Sequence, residues 1–75
     1  MKAPINNIYI FKSNISTATD KLVVKDTLDM HPQIEEWSVD LEDEDYVLRI
    51  ISSQMDSKKI KELVSLCGYT CEELD

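Results

Sequence analysis

Four consecutive carboxylates, Glu42-Asp43-Glu44-Asp45, cannot be taken out of water together, so the chain must turn in solvent at that point. What flanks them decides the kind of turn. Before them, within residues 34–41, Trp37, Val39 and Leu41 alternate with Ser38 and Asp40, the period of two of a half-buried strand. After them, residues 46–51 read Tyr-Val-Leu-Arg-Ile-Ile, a third strand that returns beside the second as a hairpin.

The rest of the chain supplies partners for this hairpin. Residues 8–12, Ile-Tyr-Ile-Phe-Lys, are β-branched and aromatic and suit a first strand. Thr17 and Asp20 have the spacing of a capping box, which predicts a helix running to about Asp29 and stopped by His31-Pro32. Its apolar residues Leu22, Val23, Val24 and Leu28 form no clean stripe. Asp56 or Ser57 then caps a second helix, in which Ile60, Leu63, Val64 and Cys67 fall at i, i+3, i+4 and i+7 on one face. Gly68 ends it, and residues 69–73 can return as a short edge strand. The order βαββαβ predicts an α+β, ferredoxin-like two-layer sandwich: a four-stranded antiparallel sheet with two helices on one face. If residues 69–73 stay unpaired, the alternative is a hairpin flanked by helices.

With 75 residues the chain supports one domain, residues 1–75, around one modest core. The hydrophobic share of 43% argues against disorder, and one Gly and two Pro leave little room for a linker. A net charge of −7 repels nucleic-acid phosphates and anionic headgroups, so neither nucleic acid nor membrane is an expected partner. Met1-Lys2-Ala3-Pro4 is not followed by an apolar run of signal-peptide length, and the expected location is cytoplasmic. There thiols stay reduced, and a turn at Gly68 aims Cys67 and Cys71 apart, so no disulfide is expected. Asn14-Ile15-Ser16 fits a glycosylation acceptor only by chance in that compartment.

The stretch from Phe11 to Asp20 is similar to the first strand and metal loop of heavy-metal-associated, copper-chaperone-like domains. Val24, Leu28 and Ile34 fall on positions usually apolar in that family. Trp37-Ser38-Val39-Asp40-Leu41-Glu42 resembles its V-x-V-D-L-E second strand, and Cys67-Gly68-Tyr69 its A-G-Y ending of the second helix. The resemblance covers about residues 8–73 and implies the same fold. It also implies where a metal would sit, since the family's Cys-x-x-Cys pair binds Cu(I) through soft thiolates near a helix N-terminus. Here those positions hold Thr17 and Asp20, a hydroxyl and a hard carboxylate. The pair is expected to cap the helix and to hold no metal; a harder ion would need more oxygen ligands than the loop offers.

Other candidates are weaker. The helical stripe puts Cys67 in the core and leaves Cys71 free to react. Met30 reads as core filler, and His31 either as half-buried or as flanking the Pro turn, with no nucleophile or base beside it. Asp43 and Glu44 in the acidic turn could meet a basic partner, and Lys58 and Lys59, which oppose the dipole of the second helix, an acidic one. Because strands one and three are apolar on both faces, part of that surface must lie on the open side of the sheet, where Tyr9 or Phe11 could contact another protein or a second copy. No phosphate loop or catalytic set is visible, no cofactor is called for, and an enzyme is not expected. Two functions follow: an interaction or regulatory module with its metal site lost, or an accessory protein of heavy-metal handling.

Overall fold

In the computed structural model, residues 7–74 are described. Their elements are β1 (Asn7–Ser13), α1 (Ala18–Met30), β2 (Glu36–Val39), β3 (Leu48–Ser52), α2 (Ser57–Leu66) and β4 (Cys71–Glu73). The four strands form one antiparallel sheet in the order β2-β3-β1-β4. This is the predicted βαββαβ sandwich. The strands differ from the sequence reading by a few residues at their ends: β2 is confined to Glu36–Val39, and Leu41 lies beyond it in the turn.

Register decides which side chains go inside. Tyr9 pairs with Ile50 and Phe11 with Leu48 across β1 and β3, while Trp37 and Val39 pair with the same two residues from β2. Directly opposed residues share a face, so this set points to one side. There Phe11, Val39, Leu48 and Ile50 meet Val24 and Leu28 of α1 and Ile60 and Val64 of α2 in one buried cluster. Tyr9 and Phe11, two residues apart, stack with ring centroids 6.5 Å apart. The alternate residues Ile8, Ile10, Arg49 and Ile51 point to the uncovered side, where Ile8 stays 61% and Ile10 38% exposed.

Polar ties fix the helices on the sheet. The Trp37 indole N–H donates to Asp29 Oδ1 at 2.7 Å, joining β2 to the last turn of α1. Lys25 Nζ reaches the other oxygen of that carboxylate at 2.7 Å. The Ser52 side chain is wholly buried, yet its hydroxyl donates to Gln33 O at 2.6 Å and accepts from Gln54 N and Met55 N, so burial leaves no orphan there. Gly68 adopts φ +92° just past α2, the left-handed backbone that glycine enters without a Cβ penalty.

Three sequence expectations are corrected. Phe11 faces the helices and is fully buried, so a partner cannot touch it on the open sheet, and half-buried Tyr9 shares its side. Cys67 and Cys71 exchange roles. Cys67 ends α2 half-buried at the margin of the core, whereas Cys71 opens β4 on the covered face and is 7% exposed; burial pushes its thiol up to about 11. Met30, the last residue of α1, is 80% exposed rather than filling the core. His31 is as expected, half-buried after α1, with Nδ1 accepting from Gln33 N.

Phe11→Ala should cost about 3–5 kcal/mol through lost transfer energy and the cavity left behind, while exposed Leu22→Ala should stay within about 0.5 kcal/mol. Paired urea denaturation curves measure both. Alkylation of the native protein at neutral pH should label Cys67 well before Cys71, with Cys71 reacting once urea opens the core; peptide mass mapping reads the order.

Candidate functional site

β1 ends at Ser13 and the chain crosses to α1 through a short polar loop whose every turn is tied down. Ser13 Oγ donates to Tyr46 O at 2.7 Å and accepts from Ile15 N at 3.2 Å. Ser13 N–H donates to Asp45 O, bringing the β2–β3 turn against this loop. Asn14 and Thr70 exchange two bonds: Asn14 N–H to Thr70 O at 3.3 Å, and Thr70 N–H to Asn14 Oδ1 at 2.9 Å. Between these anchors the Ile15 side chain plugs fully into the core. Three connections, β1–α1, β2–β3 and α2–β4, thus meet at one end of the sandwich. They border a shallow cleft of about 410 Å³ that Lys12, Ser16, Glu44 and Glu72 help to line.

Thr17 is the N-cap of α1, and its Oγ1 accepts from Asp20 N at 3.0 Å. The Asp20 carboxylate returns toward the loop: Oδ2 accepts from Ser16 N at 3.3 Å and from Ser16 Oγ at 3.4 Å. Its other oxygen, Oδ1, accepts from the Tyr69 hydroxyl at 2.7 Å, a contact between residues 49 apart in sequence. The capping box expected from the spacing is therefore present, shifted so that the carboxylate reaches the residue before the cap. Tyr69 is the member of this network that local sequence patterns do not point to; the A-G-Y likeness places it after α2 without saying what its hydroxyl meets.

The electrostatics follow from these contacts. The Tyr69 bond, first, and then the bonds from the Thr17 and Ser16 region hold the Asp20 carboxyl below its ordinary value of 3.8. Reciprocally, the Tyr69 hydroxyl is held above 10.0, chiefly because it donates to Asp20. Each oxygen at the two positions that the likeness assigns to metal ligands already accepts a hydrogen bond from the chain itself. Among the described residues, no group of three or more His, Cys, Asp or Glu side chains is placed to hold a metal ion.

The remaining candidates are spread over the molecule. Asp43 and Glu44 lie in the turn at this same end, where Asp43 Oδ1 accepts from Asp45 N at 2.8 Å and Asp40 Oδ1 from Glu42 N, so part of the acidic run shapes its own turn. Tyr46 closes the turn with φ 48°, a left-handed conformation held by the bonds to Ser13. Lys58 and Lys59 stand in the first turn of α2, at the opposite end, beside the N-cap Asp56, whose carboxylate accepts from Lys59 N at 2.8 Å.

A ferredoxin-like sandwich whose β1–α1 loop and α2–β4 turn close over the start of the first helix has the fold of heavy-metal-associated domains. Two solved structures share it closely. The apo heavy-metal-associated domain of a copper chaperone for superoxide dismutase aligns with a TM-score of 0.75 at 13% identity, covering 100% of this chain and 76% of that one. The copper(I)-loaded first domain of the human copper chaperone for SOD1 aligns with a TM-score of 0.71 at 14% identity, covering 95% of this chain and 99% of that one. No family model matches the sequence, and no curated protein matches it either.

The depressed pKa of Asp20 sets a sign. A carboxyl titrating lower in the folded state adds stability above its unfolded value near 3.8, lost as the pH falls through the folded value. Tyr69, raised above 10.0, adds stability below that value, lost as the pH rises through its folded value. Tyr69→Phe should therefore be less stable than wild type between these limits and converge with it toward both extremes, as urea midpoints recorded across pH would show. In the same variant the Asp20 carboxyl, followed by NMR, should titrate closer to 3.8.

Proposed function

We propose that this chain is a non-enzymatic protein-interaction module built on the heavy-metal-associated fold, in which the entrance to α1 no longer holds Cu(I). One observation carries the reading: Thr17 Oγ1 and both oxygens of Asp20 stand where the resemblance puts thiolates, and each is engaged by Asp20 N, Ser16 or Tyr69. Oxygen is a poor match for a soft monovalent ion, and capturing one here would also break contacts that cap the helix. Cys67 and Cys71 do not substitute for the missing pair, since Cys71 is buried with its thiol held protonated well above neutral pH.

What remains once the metal is gone is a small stable scaffold with shaped surfaces. The fold neighbours, named as chaperones for superoxide dismutase, support a role exercised through contact with another protein rather than through catalysis. Free thiols at Cys67 and Cys71 fit a reducing compartment such as the cytoplasm. No helix among the described residues is long and apolar enough to cross a membrane.

Titration of the reduced protein with Cu(I) and Zn(II) against a competing chelator tests the reading. Wild type should fail to withdraw either ion, whereas the double substitution Thr17→Cys with Asp20→Cys should take up one equivalent of Cu(I). Withdrawal of Cu(I) by wild type, abolished by Thr17→Ala with Asp20→Ala, would sink the proposal and favour a role in handling the metal.

A further inference from the structure

The open face of the sheet mixes an apolar centre with equal numbers of cations and carboxylates, unlike the chain as a whole. Its residues follow from strand parity and register: Glu36 and Ser38 on β2, Arg49 and Ile51 on β3, Ile8, Ile10 and Lys12 on β1, and Glu72 on β4. Ile8, Ile10 and Ile51 form an apolar centre, with Glu36, Ser38 and Arg49 bordering the same shallow groove of about 340 Å³. Two cations, Lys12 and Arg49, balance two carboxylates, Glu36 and Glu72, in a chain whose net charge is −7. Among the described residues the one ion pair is Lys25–Asp29, so within that part of the chain Arg49 and Glu36 meet no opposite charge at ion-pair distance.

We propose that this face is a self-association surface and that its occupant is a second copy of the chain. The proposal rests on reading the chain as an interaction module, though not on the state of the α1 entrance. The net charge of −7 sets two copies against each other overall, and on this face that repulsion is relieved by an apolar centre with both signs present. The register also makes the face self-complementary. Glu36, Ile51 and Ile8 lie in one row across the strands, and Ser38, Arg49 and Ile10 in the next. A twofold axis running across the strands between these rows lays Ile8 of one copy over Ile10 of the other. It also sets each Arg49 one strand away from Glu36 of the second copy, about 4.8 Å to the side. The contact is made twice, as an isologous interface requires.

Size sets the strength. Four strands about 4.8 Å apart and about five residues long present roughly 300 Å² of flat area, well short of the roughly 800 Å² per partner of a standard stable interface. The dimer is therefore weak and concentration-dependent, formed where the chain is abundant or tethered.

Sedimentation equilibrium of the full chain from about 10 μM to about 1 mM, with amide chemical shifts followed over the same range, tests this. Wild type should dimerise, with shifts confined to the rows of Ile8 and Ile10. Arg49→Glu should weaken the dimer at least about tenfold, and adding Glu36→Arg to it should restore association to within about threefold, because the reversed pair is again reciprocal. A monomer throughout the range would overturn the proposal. So would association indifferent to both reversals, or concentration-independent contact of residues 1–6 with Ile8 or Ile10. The copper titration is a separate measurement and can fail or succeed without altering these outcomes.

Discussion

A four-stranded sheet with helices on one side has a single place to bury apolar surface, and β1, flanked by β3 and β4, determines how that place is filled. Phe11 is the pivot. It sits at zero exposure, with Leu48 opposite, and stacks with Tyr9 on the same side. A shift of register by one residue would exchange Phe11 and Tyr9 for Ile8, Ile10 and Lys12, placing an ammonium group against α1 and α2. The fit of β1 between its neighbours thereby fixes which residues form the core and which form the exposed sheet.

The end of the molecule where α1 begins is organised by the same economy. A helix start leaves amide donors without partners, and a chain this short has few side chains to spare for them. Thr17 meets part of that need locally by accepting from Asp20 N. Asp20 then does two jobs at once, turning back on the loop with one oxygen and receiving Tyr69 from beyond α2 with the other. Because the Asn14–Thr70 pair runs alongside, the two crossovers of the fold are joined by both backbone and side chains. Loss of this carboxylate would leave Tyr69 and Ser16 without their shared acceptor, so the join between the two crossovers depends on Asp20.

Much of this was legible in the sequence because the signals were local. Thr17 with Asp20, Asp56 before α2, the Ile60–Val64 stripe and the alternation ahead of the acidic turn each announce an element within a few residues. The facing of β1 was not legible, since Ile8-Tyr9-Ile10-Phe11 is apolar at every position and period two has no phase there; only register with β3 supplies one. The same kind of limit explains the cysteines. Heptad-like spacing placed Cys67 inside, but it is the residue at which α2 ends, whereas the inward side of β4 falls on Cys71 through pairing with Ser13. Met30 reads as core by composition, but as the last residue of α1 it lies outside the buried cluster and faces solvent. The Tyr69–Asp20 bond spans too much of the sequence for any local pattern to foretell.

The sole tryptophan stands at the joint between β2 and α1, with its indole held by Asp29 and the same carboxylate held by Lys25. The chain thus carries an intrinsic fluorophore whose hydrogen-bonded neighbour belongs to a different element. Its emission reports the seating of the first helix on the sheet margin, at a point removed from the crossovers, and needs no attached dye to do so.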